Sequence, residues 1–166
     1  MKLLAVDTSG PVCGVAILTE DGIRHECAVM NHKTHSLNLL PMIDNAFQST
    51  GLTIQDMDRL AVVVGPGSFT GVRLGVSTVK GLAHGAGKPC VAVNALEAMA
   101  AGISGFSGVV CPIQDARAGQ VYGAAFSAGE NRPNRLMADT PMKVEDYVAE
   151  ISRFGDRFLF LSLIHI

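Results

Sequence analysis

The stretch Leu60-Ala-Val-Val-Val-Gly-Pro-Gly-Ser-Phe-Thr-Gly71 decides the fold that we expect for this chain. Its continuous apolar run, Leu60–Val64, is typical of a strand that is buried on both faces. A glycine-rich turn follows, and the residue pattern then predicts a helix from about Thr70 to His84. A buried strand, a tight turn and a helix in this order indicate an α/β domain.

The glycine-rich turn has some properties of a phosphate-binding loop, because a helix start presents free N–H groups and the positive end of the helix dipole. It nevertheless fits none of the known patterns. It lacks the Gly-Lys-Ser/Thr of a Walker loop, is one residue off the dinucleotide pattern and lacks the hydrolase elbow. An anion site with Gly65, Gly67 and Ser68 as ligands and a purely structural turn both remain open.

Towards the N-terminus, the apolar pattern predicts three strands and a helix. The strands are Lys2–Val6, Val12–Leu18 and Ile23–Met30, and the helix is Ser36–Ser49. Asp21-Gly22 between two apolar runs is a strong hairpin signal, so we expect an antiparallel meander. Pro41 predicts a bend or a late start in the helix. Beyond the central stretch we predict a buried strand, Cys90–Val93, and a short helix, Ala95–Ala101.

The same pattern then begins again. The predicted elements are strands at Val109–Asp115, Gln120–Ser127 and Asn134–Asp139, a helix at Val144–Arg153 and the start of a strand at Phe158–Phe160. The segment Asp7–Ile17 can be laid over Asp115–Phe126, with one extra residue in the second copy. We therefore predict two duplicated βββαβαβα lobes, residues 1–104 and 105–160, the second incomplete, against the alternative of two unrelated hairpins. Facing lobes would place Asp7 and Asp115 across one cleft.

The last six residues, Leu161–Ile166, match one reading frame of a common sequencing adapter, the transposase mosaic end. We expect residues 161–166 to be a non-native scar on a C-terminally truncated chain. A natural C-terminal strand is the alternative.

Composition restricts the function. Of the 166 residues, 48% are hydrophobic and only 17% charged, with a mean hydropathy of +0.32, which indicates a folded core. The net charge of −2 argues against a protein that grips RNA alone. No apolar run is long enough for a bilayer. The four cysteines lack a Cys-x-x-Cys pair and are expected to be buried reduced thiols of a cytoplasmic protein.

Asp7 and Asp115 are the candidate acids. In a phosphoryl-transfer cleft such acids hold magnesium or orient water, and in the alternative each carboxylate caps its own turn. Thr8 and Ser9 are candidates for phosphate contact. His32 and His35 have metal-ligand spacing, but no third ligand lies nearby, so we expect no metal site and place His35 at the helix entry.

The helix after the turn carries Gly71, Gly75, Gly81 and Gly85, although each interior glycine costs about 1 kcal/mol relative to alanine. Small residues four apart allow a close approach of another helix. That helix belongs either to the same monomer or to a partner. For the second case, the predicted partner-binding residues are His35, Ser36, Leu40, Ile43, Phe47, Val72, Arg73, Val76, Val79, Lys80 and Ala83.

Several segments resemble the TsaB (YeaZ) family. They are Leu4–Ser9, Cys13–Ala16, His35-Ser36, Leu39–Pro41, Val64–Gly75, Lys80–Ala83, Pro89–Asn94, Asp115–Arg117 and Val121-Tyr122. The resemblance covers residues 1 to about 160 and implies an actin-like (ASKHA) fold. It also implies a cytoplasmic role in forming N6-threonylcarbamoyladenosine next to the anticodon of ANN-reading tRNAs. In that family the subunit pairs with the catalytic relative TsaD and with the ATPase TsaE, and forms a homodimer when alone. It meets tRNA only through the complex, and ATP or ADP is implied only at the interface with TsaD.

The resemblance also implies that the chain is not the catalyst. TsaD-like proteins carry a metal-binding His-x-Glu-x-His after a Val-Asn pair, whereas here Val93-Asn94 is followed by Ala95-Leu-Glu97-Ala-Met99. Alanine cannot ligate a metal, and a thioether suits a hard ion poorly. The alternative is an actin-like enzyme with its own ATPase, kinase or peptidase activity.

Overall fold

A computed structural model describes residues 1–30, 35–127 and 132–162. The chain forms two compact units, residues 1–93 and 94–166. The elements of the first are β1 (Leu3–Asp7), β2 (Cys13–Thr19), β3 (Gly22–Val29), α1 (His35–Thr50), β4 (Arg59–Val63), α2 (Phe69–Ala86) and β5 (Cys90–Val93). Those of the second are α3 (Ala95–Ala101), β6 (Val109–Arg117), β7 (Gln120–Ser127), β8 (Asn134–Lys143), α4 (Val144–Ile151) and β9 (Phe158–Ser162). Short 3-10 turns occur at Ile54–Asp56 and Ser152–Phe154.

The first unit is a five-stranded sheet in the order β3-β2-β1-β4-β5. The predicted meander is confirmed, because β1–β2 and β2–β3 pair antiparallel, and β4 is parallel to both of its neighbours. Helices α1 and α2 cover one face of this sheet, over a core that includes Leu4, Val15, Leu60, Ala46 and Val79. Each helix connects strands that run in the same direction, so both helices begin at the same edge of the sheet.

Pro41 in α1 and Gly87 at the end of α2 show how single residues are accommodated in the helices of this unit. Helix α1 begins at His35 and continues through Pro41, so the predicted late start is not observed. Pro41 is exposed, where water can hydrate the carbonyl group that a proline leaves without a donor. Helix α2 ends at Gly87, whose φ of 66° suits glycine and whose N–H donates to the carbonyls of Ala83 and His84.

The second unit is a four-stranded sheet in the order β8-β7-β6-β9. Helix α4 packs on one face, where Tyr147 and Ile151 meet Val109 and Cys111. Helix α3 packs through Leu96 and other residues on side chains of the opposite face. The predicted lobe boundary at residue 104 puts α3 in the first lobe, but α3 belongs to the second unit, because its apolar side chains cover the second sheet.

The predicted duplication is confirmed by topology, since β6–β7–β8–α4–β9 repeats the order and strand directions of β1–β2–β3–α1–β4. The residue-by-residue alignment of Asp7–Ile17 with Asp115–Phe126 does not match the way the two strands face their cores. It pairs Gly14 with Gly123, yet Gly14 alternates with the core residues Cys13 and Val15, whereas Gly123 lies directly against Tyr147 on the α4 side. An irregularity in the β6–β7 pairing near Asp115 accompanies this one-residue shift.

The C-terminal segment and the cysteines can also be compared with their predictions. Leu161 and Ser162 continue β9 and pair with Pro112 and Ile113, while residues 163–166 lie outside the described residues. The cysteines are free thiols, and Cys13 and Cys111 are buried as predicted. Cys27 is only half-buried and Cys90 is exposed, because they lie on the edge strands β3 and β5. In the described parts of the chain, no helix combines the length and apolar character needed to cross a membrane.

We expect Tyr147→Phe to lower the free energy of unfolding by about 1–2 kcal/mol, because the buried hydroxyl donates a 2.6 Å hydrogen bond to the carbonyl of Ala124. Burial also raises the pKa of Tyr147 well above its usual value of 10.0. The folded chain therefore keeps this proton where the unfolded chain loses it, so stability falls as the pH rises above about 10.

Denaturant titrations at neutral pH and above pH ~10 measure both effects. Tyr147→Phe should flatten the alkaline decline. Tyr122→Phe, which removes a hydroxyl from strand β7 of the same unit, is the control and should keep it. An unchanged decline in Tyr147→Phe would contradict this assignment.

Candidate functional site

The turn that follows β1 is capped internally and docked on the start of α2. Asp7 Oδ1 accepts a hydrogen bond from the Ser9 N–H at 2.8 Å. Thr8 is fully buried and donates its hydroxyl to the carbonyl of Gly71 at 2.6 Å. The Ser68 N–H in turn donates to the Ser9 carbonyl at 2.6 Å. Four of the residues predicted to contact a nucleotide, Asp7, Thr8, Ser9 and Ser68, thus come together.

Three glycines lie under this turn and leave no room for a side chain. A Cβ atom on Gly71 would lie 2.0 Å from the Thr8 carbonyl oxygen, and one on Gly75 would lie 2.4 Å from the Thr8 hydroxyl. On Gly67 it would lie 2.4 Å from the Ser9 carbonyl oxygen. Two of these obstacles are backbone atoms, which cannot rotate away. The spacing of four therefore serves the packing of β1 on α2 within one unit.

The other two glycines of α2 have a different environment. Gly81 and Gly85 are exposed, and a Cβ atom on either would meet nothing within 4 Å. The sequence predicts one role for all four helix glycines, the close approach of another helix. The structure divides the series, because Gly71 and Gly75 face the β1 turn whereas Gly81 and Gly85 face outward.

The amide groups that a phosphate would use at the start of α2 are partly occupied by the chain itself. Ser68 is the N-cap, and its hydroxyl accepts from the Gly71 N–H at 3.3 Å. The Ser68 N–H already donates to Ser9. The Ser9 hydroxyl is buried and has no hydrogen-bond partner among the described residues. These contacts favour the structural turn, in which Gly65 supplies a φ of 114°. Nucleotide binding at this turn stays a prediction.

The second candidate acid has the same local role as the first. Asp115 Oδ1 accepts a hydrogen bond from the Arg117 N–H at 2.8 Å, as Asp7 does from Ser9. Arg117 and Ala118 then adopt φ values of 67° and 51° in the tight β6–β7 turn. Each carboxylate therefore caps its own turn, the alternative that the sequence left open.

Next to the first turn, Cys13 is buried, and this burial raises the pKa of its thiol. The negative charge of Asp7 raises it further. Burial likewise raises the pKa of the Cys111 thiol in the second unit. A buried thiol with a raised pKa is a poor nucleophile, so these two cysteines have a packing role.

Helix α3 begins in a polar network of the second unit. The Asn94 side chain caps the helix by accepting from the Glu97 N–H at 2.8 Å and donates to Asp139. Glu97 pairs with Arg135 at 3.2 Å, and Arg135 also pairs with Asp139. Ala95 is buried in this unit. Within the described ranges, no three histidine, cysteine or acidic side chains are grouped closely enough to hold a metal ion.

Apart from His35, the predicted partner-binding residues fall into three groups by burial. Ile43, Val79 and Ala83 are 4%, 0% and 2% exposed, so they belong to the core of the first unit. We therefore remove them from the predicted partner-binding surface. Helical periodicity alone did not reveal which side of each helix faces the sheet. Phe47, Val72 and Val76 are half-buried. The exposed members are Ser36, Leu40, Arg73 and Lys80.

His35 has a structural role at the entry of α1. Its Nε2 lies 2.9 Å from the Gly10 carbonyl oxygen, and the tautomer that is protonated there donates to it. This contact ties the helix start to the turn after β1, as expected for a helix-entry residue. His32 lies outside the described residues.

The structure adds two exposed apolar residues that the sequence analysis missed. Leu37 is 64% exposed and Phe69 is 68% exposed, compared with 56% for Leu40. Leu37 is absent from the predicted partner-binding residues, and Phe69 was expected in the turn, because the helix was predicted to begin at about Thr70. The Arg73 guanidinium lies 3.7 Å from the centre of the Phe69 ring. We call Leu37, Leu40, Phe69 and Arg73 the α1–α2 outer surface.

Comparisons with known proteins give a consistent picture. The family model described as TsaD, tRNA N6-adenosine threonylcarbamoyltransferase, matches residues 24–154. The tRNA threonylcarbamoyladenosine biosynthesis protein TsaB of Bacillus subtilis is 34% identical over 98% of this chain, and the match spans 71% of that protein. TsaB of Escherichia coli is 39% identical over 79% of this chain, and here the match spans 57% of the relative's length.

Solved structures that superpose on this chain include two YeaZ-like proteins. YeaZ from Pseudomonas aeruginosa superposes with a TM-score of 0.76 at 29% identity, covering 85% of this chain and 67% of YeaZ. A protein from P. aeruginosa with similarity to peptidase YeaZ gives a TM-score of 0.83 at 26% identity and covers 98% and 85% of the two chains. Component A of (R)-2-hydroxyglutaryl-CoA dehydratase from Acidaminococcus fermentans shares the fold alone, with a TM-score of 0.51 at 15% identity over 84% and 48%.

The glycine contacts generate a paired prediction. We expect Gly71→Ala to lower the free energy of unfolding by about 3 kcal/mol, because the new methyl group overlaps the Thr8 carbonyl oxygen. Gly81→Ala should instead raise it by about 0.5–1 kcal/mol, since the methyl group meets open space in a helix. Urea titrations of both variants beside the parent chain measure the difference. Equal effects of the two substitutions would contradict the proposed close packing of β1 on α2.

Proposed function

Because the chain belongs to the family of the tRNA threonylcarbamoyladenosine biosynthesis protein TsaB, we propose that it is a non-catalytic subunit in the formation of N6-threonylcarbamoyladenosine. In this role it binds and positions TsaD, which transfers the threonylcarbamoyl group next to the anticodon of ANN-reading tRNAs. TsaE joins the pair, and tRNA is met only through the complex. When TsaD is absent, the same surface binds a second copy of the chain.

The observation that carries this proposal is the apolar part of the α1–α2 outer surface. Leu37, Leu40 and Phe69 each leave more than half of their surface in water. All three lie near the starts of α1 and α2, which begin at the same edge of the sheet. Exposed apolar side chains of this size at one edge of a folded protein are typical of an interaction surface. Central aromatic and aliphatic residues of such surfaces supply most of the binding free energy.

The start of α3 supports a non-catalytic role. Ala95 and Met99 occupy the positions of the two histidines in the motif of TsaD-like proteins. The one remaining acid, Glu97, is engaged by Arg135, and Asn94 is engaged by the helix cap and Asp139. The polar side chains at this helix start therefore all form hydrogen bonds or ion pairs within the unit. We assign no cofactor to the chain itself and propose ATP or ADP only at the interface with TsaD.

We expect Leu40→Glu to abolish co-purification with the TsaD encoded by the same genome, because a charged group in an apolar interface cannot be solvated. Leu40 is exposed, so the free energy of unfolding should change by no more than about 0.5 kcal/mol. Val76 would be a poorer choice, since it packs partly against the core. Pull-down with tagged TsaD, together with a urea titration, measures both quantities.

Ile23→Glu is the matched control, because Ile23 is 59% exposed but lies on the edge strand β3. It should leave the complex intact. A Leu40→Glu variant that still binds TsaD would show that the surface is wrongly chosen. Metal-dependent ATP turnover by the isolated chain would contradict the non-catalytic role and support the alternative of an actin-like enzyme.

A further inference from the structure

Five polar side chains share one face of the second sheet, at the end where β6 turns into β7. Arg117 lies opposite Gln120, Gln114 lies opposite Tyr122, and Gln120 lies opposite Lys143 of β8. Directly opposite residues of antiparallel strands point to the same face, and so do residues two apart on one strand. Tyr122 also packs against the cluster beneath α3, so this is the α3 side of the sheet. We call the five residues the polar β6–β8 face.

Gln114 is the unusual member of this face. It is 5% exposed, yet neither its amide nitrogen nor its amide oxygen has a hydrogen-bond partner among the described residues. Burying an unpaired amide lowers stability, and an apolar side chain at this position would avoid that cost. A buried amide that is kept in this state therefore indicates a partner that the chain does not supply. The half-buried Tyr122 is the side chain directly opposite.

The backbone directs Arg117 to this face at a cost. Regular alternation from Gln114 would place Arg117 on the α4 side of the sheet. The β6–β7 pairing is irregular between Asp115 and Arg117, and this shift moves Arg117 to the α3 side, opposite Gln120. Arg117 and Ala118 adopt φ values of 67° and 51°, which are strained for residues other than glycine. The turn thus holds the arginine on one chosen face.

The two cations of the polar β6–β8 face keep their charge. Arg117 and Lys143 are exposed, and within the described ranges neither side chain takes part in an ion pair or stacks on an aromatic ring. The nearby acids lie on the other side of the sheet. Asp115 is opposite Val121, which packs against the α4 cluster, and two more acids begin α4 itself.

Two free cations beside an aromatic ring and an unpaired amide are suited to a nucleotide in a single strand, because phosphates are bound by cations and unpaired bases stack on aromatic side chains. On the basis of the function proposed above, we propose that the polar β6–β8 face contacts the tRNA substrate within the complex. Arg117 and Lys143 bind backbone phosphates, a base stacks on Tyr122, and the Gln114 amide hydrogen-bonds the edge of that base. The Gln114 side chain turns outward as the base binds, since its amide is closed to water in the free chain.

A free nucleotide fits this face less well. The Arg117 N–H, which a phosphate-binding turn would offer to its ligand, already donates to Asp115 at 2.8 Å. Arg117 and Lys143 lie two strand spacings apart, about 10 Å at the backbone, which suits an extended strand with several phosphates. The chain has a net charge of −2, so two cations supply a contact that assists TsaD rather than a grip on tRNA by the chain alone.

The test is the Kd of the complex between the full chain and the TsaD of the same genome for an unmodified ANN-reading tRNA transcript. Fluorescence anisotropy measures it at salt concentrations from about 0.05 M to about 0.3 M. We expect Arg117→Ala/Lys143→Ala to raise the Kd about tenfold at low salt. It should also lower the slope of log Kd against log salt by about 1.4, which is twice the value of about 0.7 for one phosphate on a single strand. Arg117→Lys keeps the charge and should stay within about threefold of the parent.

Arg59→Ala/Arg153→Ala is the matched control. It removes two exposed cations elsewhere, at the start of β4 and beyond the end of α4, and should leave both the Kd and the slope unchanged. Pull-down with TsaD and circular dichroism of every variant verify that the complex and the fold are kept.

Gln114→Leu separates a binding role of the amide from a structural one. It should raise the Tm of the free chain by about 2–4 °C, because an unpaired buried amide is removed. It should also raise the Kd for tRNA about fivefold, because the base edge loses its partner. A raised Tm with an unchanged Kd would contradict the contact between Gln114 and a base.

The failures are distinguishable. If the parent complex forms and binds tRNA, and the double variant binds with the same Kd and slope, the tRNA contact is refuted while the proposed function stands. If the parent chain does not bind TsaD, the proposed function fails as well. If the double variant loses TsaD instead of tRNA, the face is a protein contact and the proposal is overturned. Binding of ADP to the isolated chain that the double variant abolishes would likewise replace tRNA by a free nucleotide.

Discussion

The contact between Thr8 and Gly71 fixes the first unit. Thr8 directly follows β1, the central strand of the sheet, and its hydroxyl donates a buried hydrogen bond to a carbonyl in the first turn of α2. This bond joins the end of the strand to the helix. The contact requires the absence of a side chain at Gly67, Gly71 and Gly75. With α2 seated in this way, Val79 and Ala83 must face the core, and Arg73, Ser77 and Lys80 must face water. The outward surface is therefore a consequence of the inward one.

The second unit repeats the topology but places its closest contact elsewhere. Gly123 lies under the Tyr147 ring, where a Cβ atom would be 2.5 Å from the ring, and the Tyr147 hydroxyl bonds to the neighbouring Ala124 carbonyl. In the second unit, a glycine in a strand makes room for a helix side chain. In the first unit, glycines in a helix make room for the end of a strand. The two copies thus share an architecture and differ in the contact that stabilises it. This difference explains why a letter alignment fails while the strand order agrees.

The sequence predicted the elements closely, because most of them carry a strong local signal. The strand Cys90–Val93 and the helix Ala95–Ala101 have the predicted bounds, since a continuous apolar run and an Asn94 cap define them locally. It was harder to predict which side of α1 and of α2 faces the sheet. Their apolar residues extend around more of the helix than the sheet covers, so periodicity did not separate buried Ile43 from exposed Leu40. The purpose of the glycines depended on Thr8, which is distant in sequence from α2.

Gly81 and Gly85 have a consequence for motion. Each removes side-chain restraint from a turn of α2 that has solvent on its outer side, and each weakens the helix by about 1 kcal/mol relative to alanine. The cap at Gly87 offsets part of this loss at the very end of the helix. Local opening is therefore easiest in the last turns of α2, so their amide hydrogens should exchange with solvent ahead of those near Gly71. The C-terminal half of α2 is therefore also the half whose order a bound neighbour would increase most.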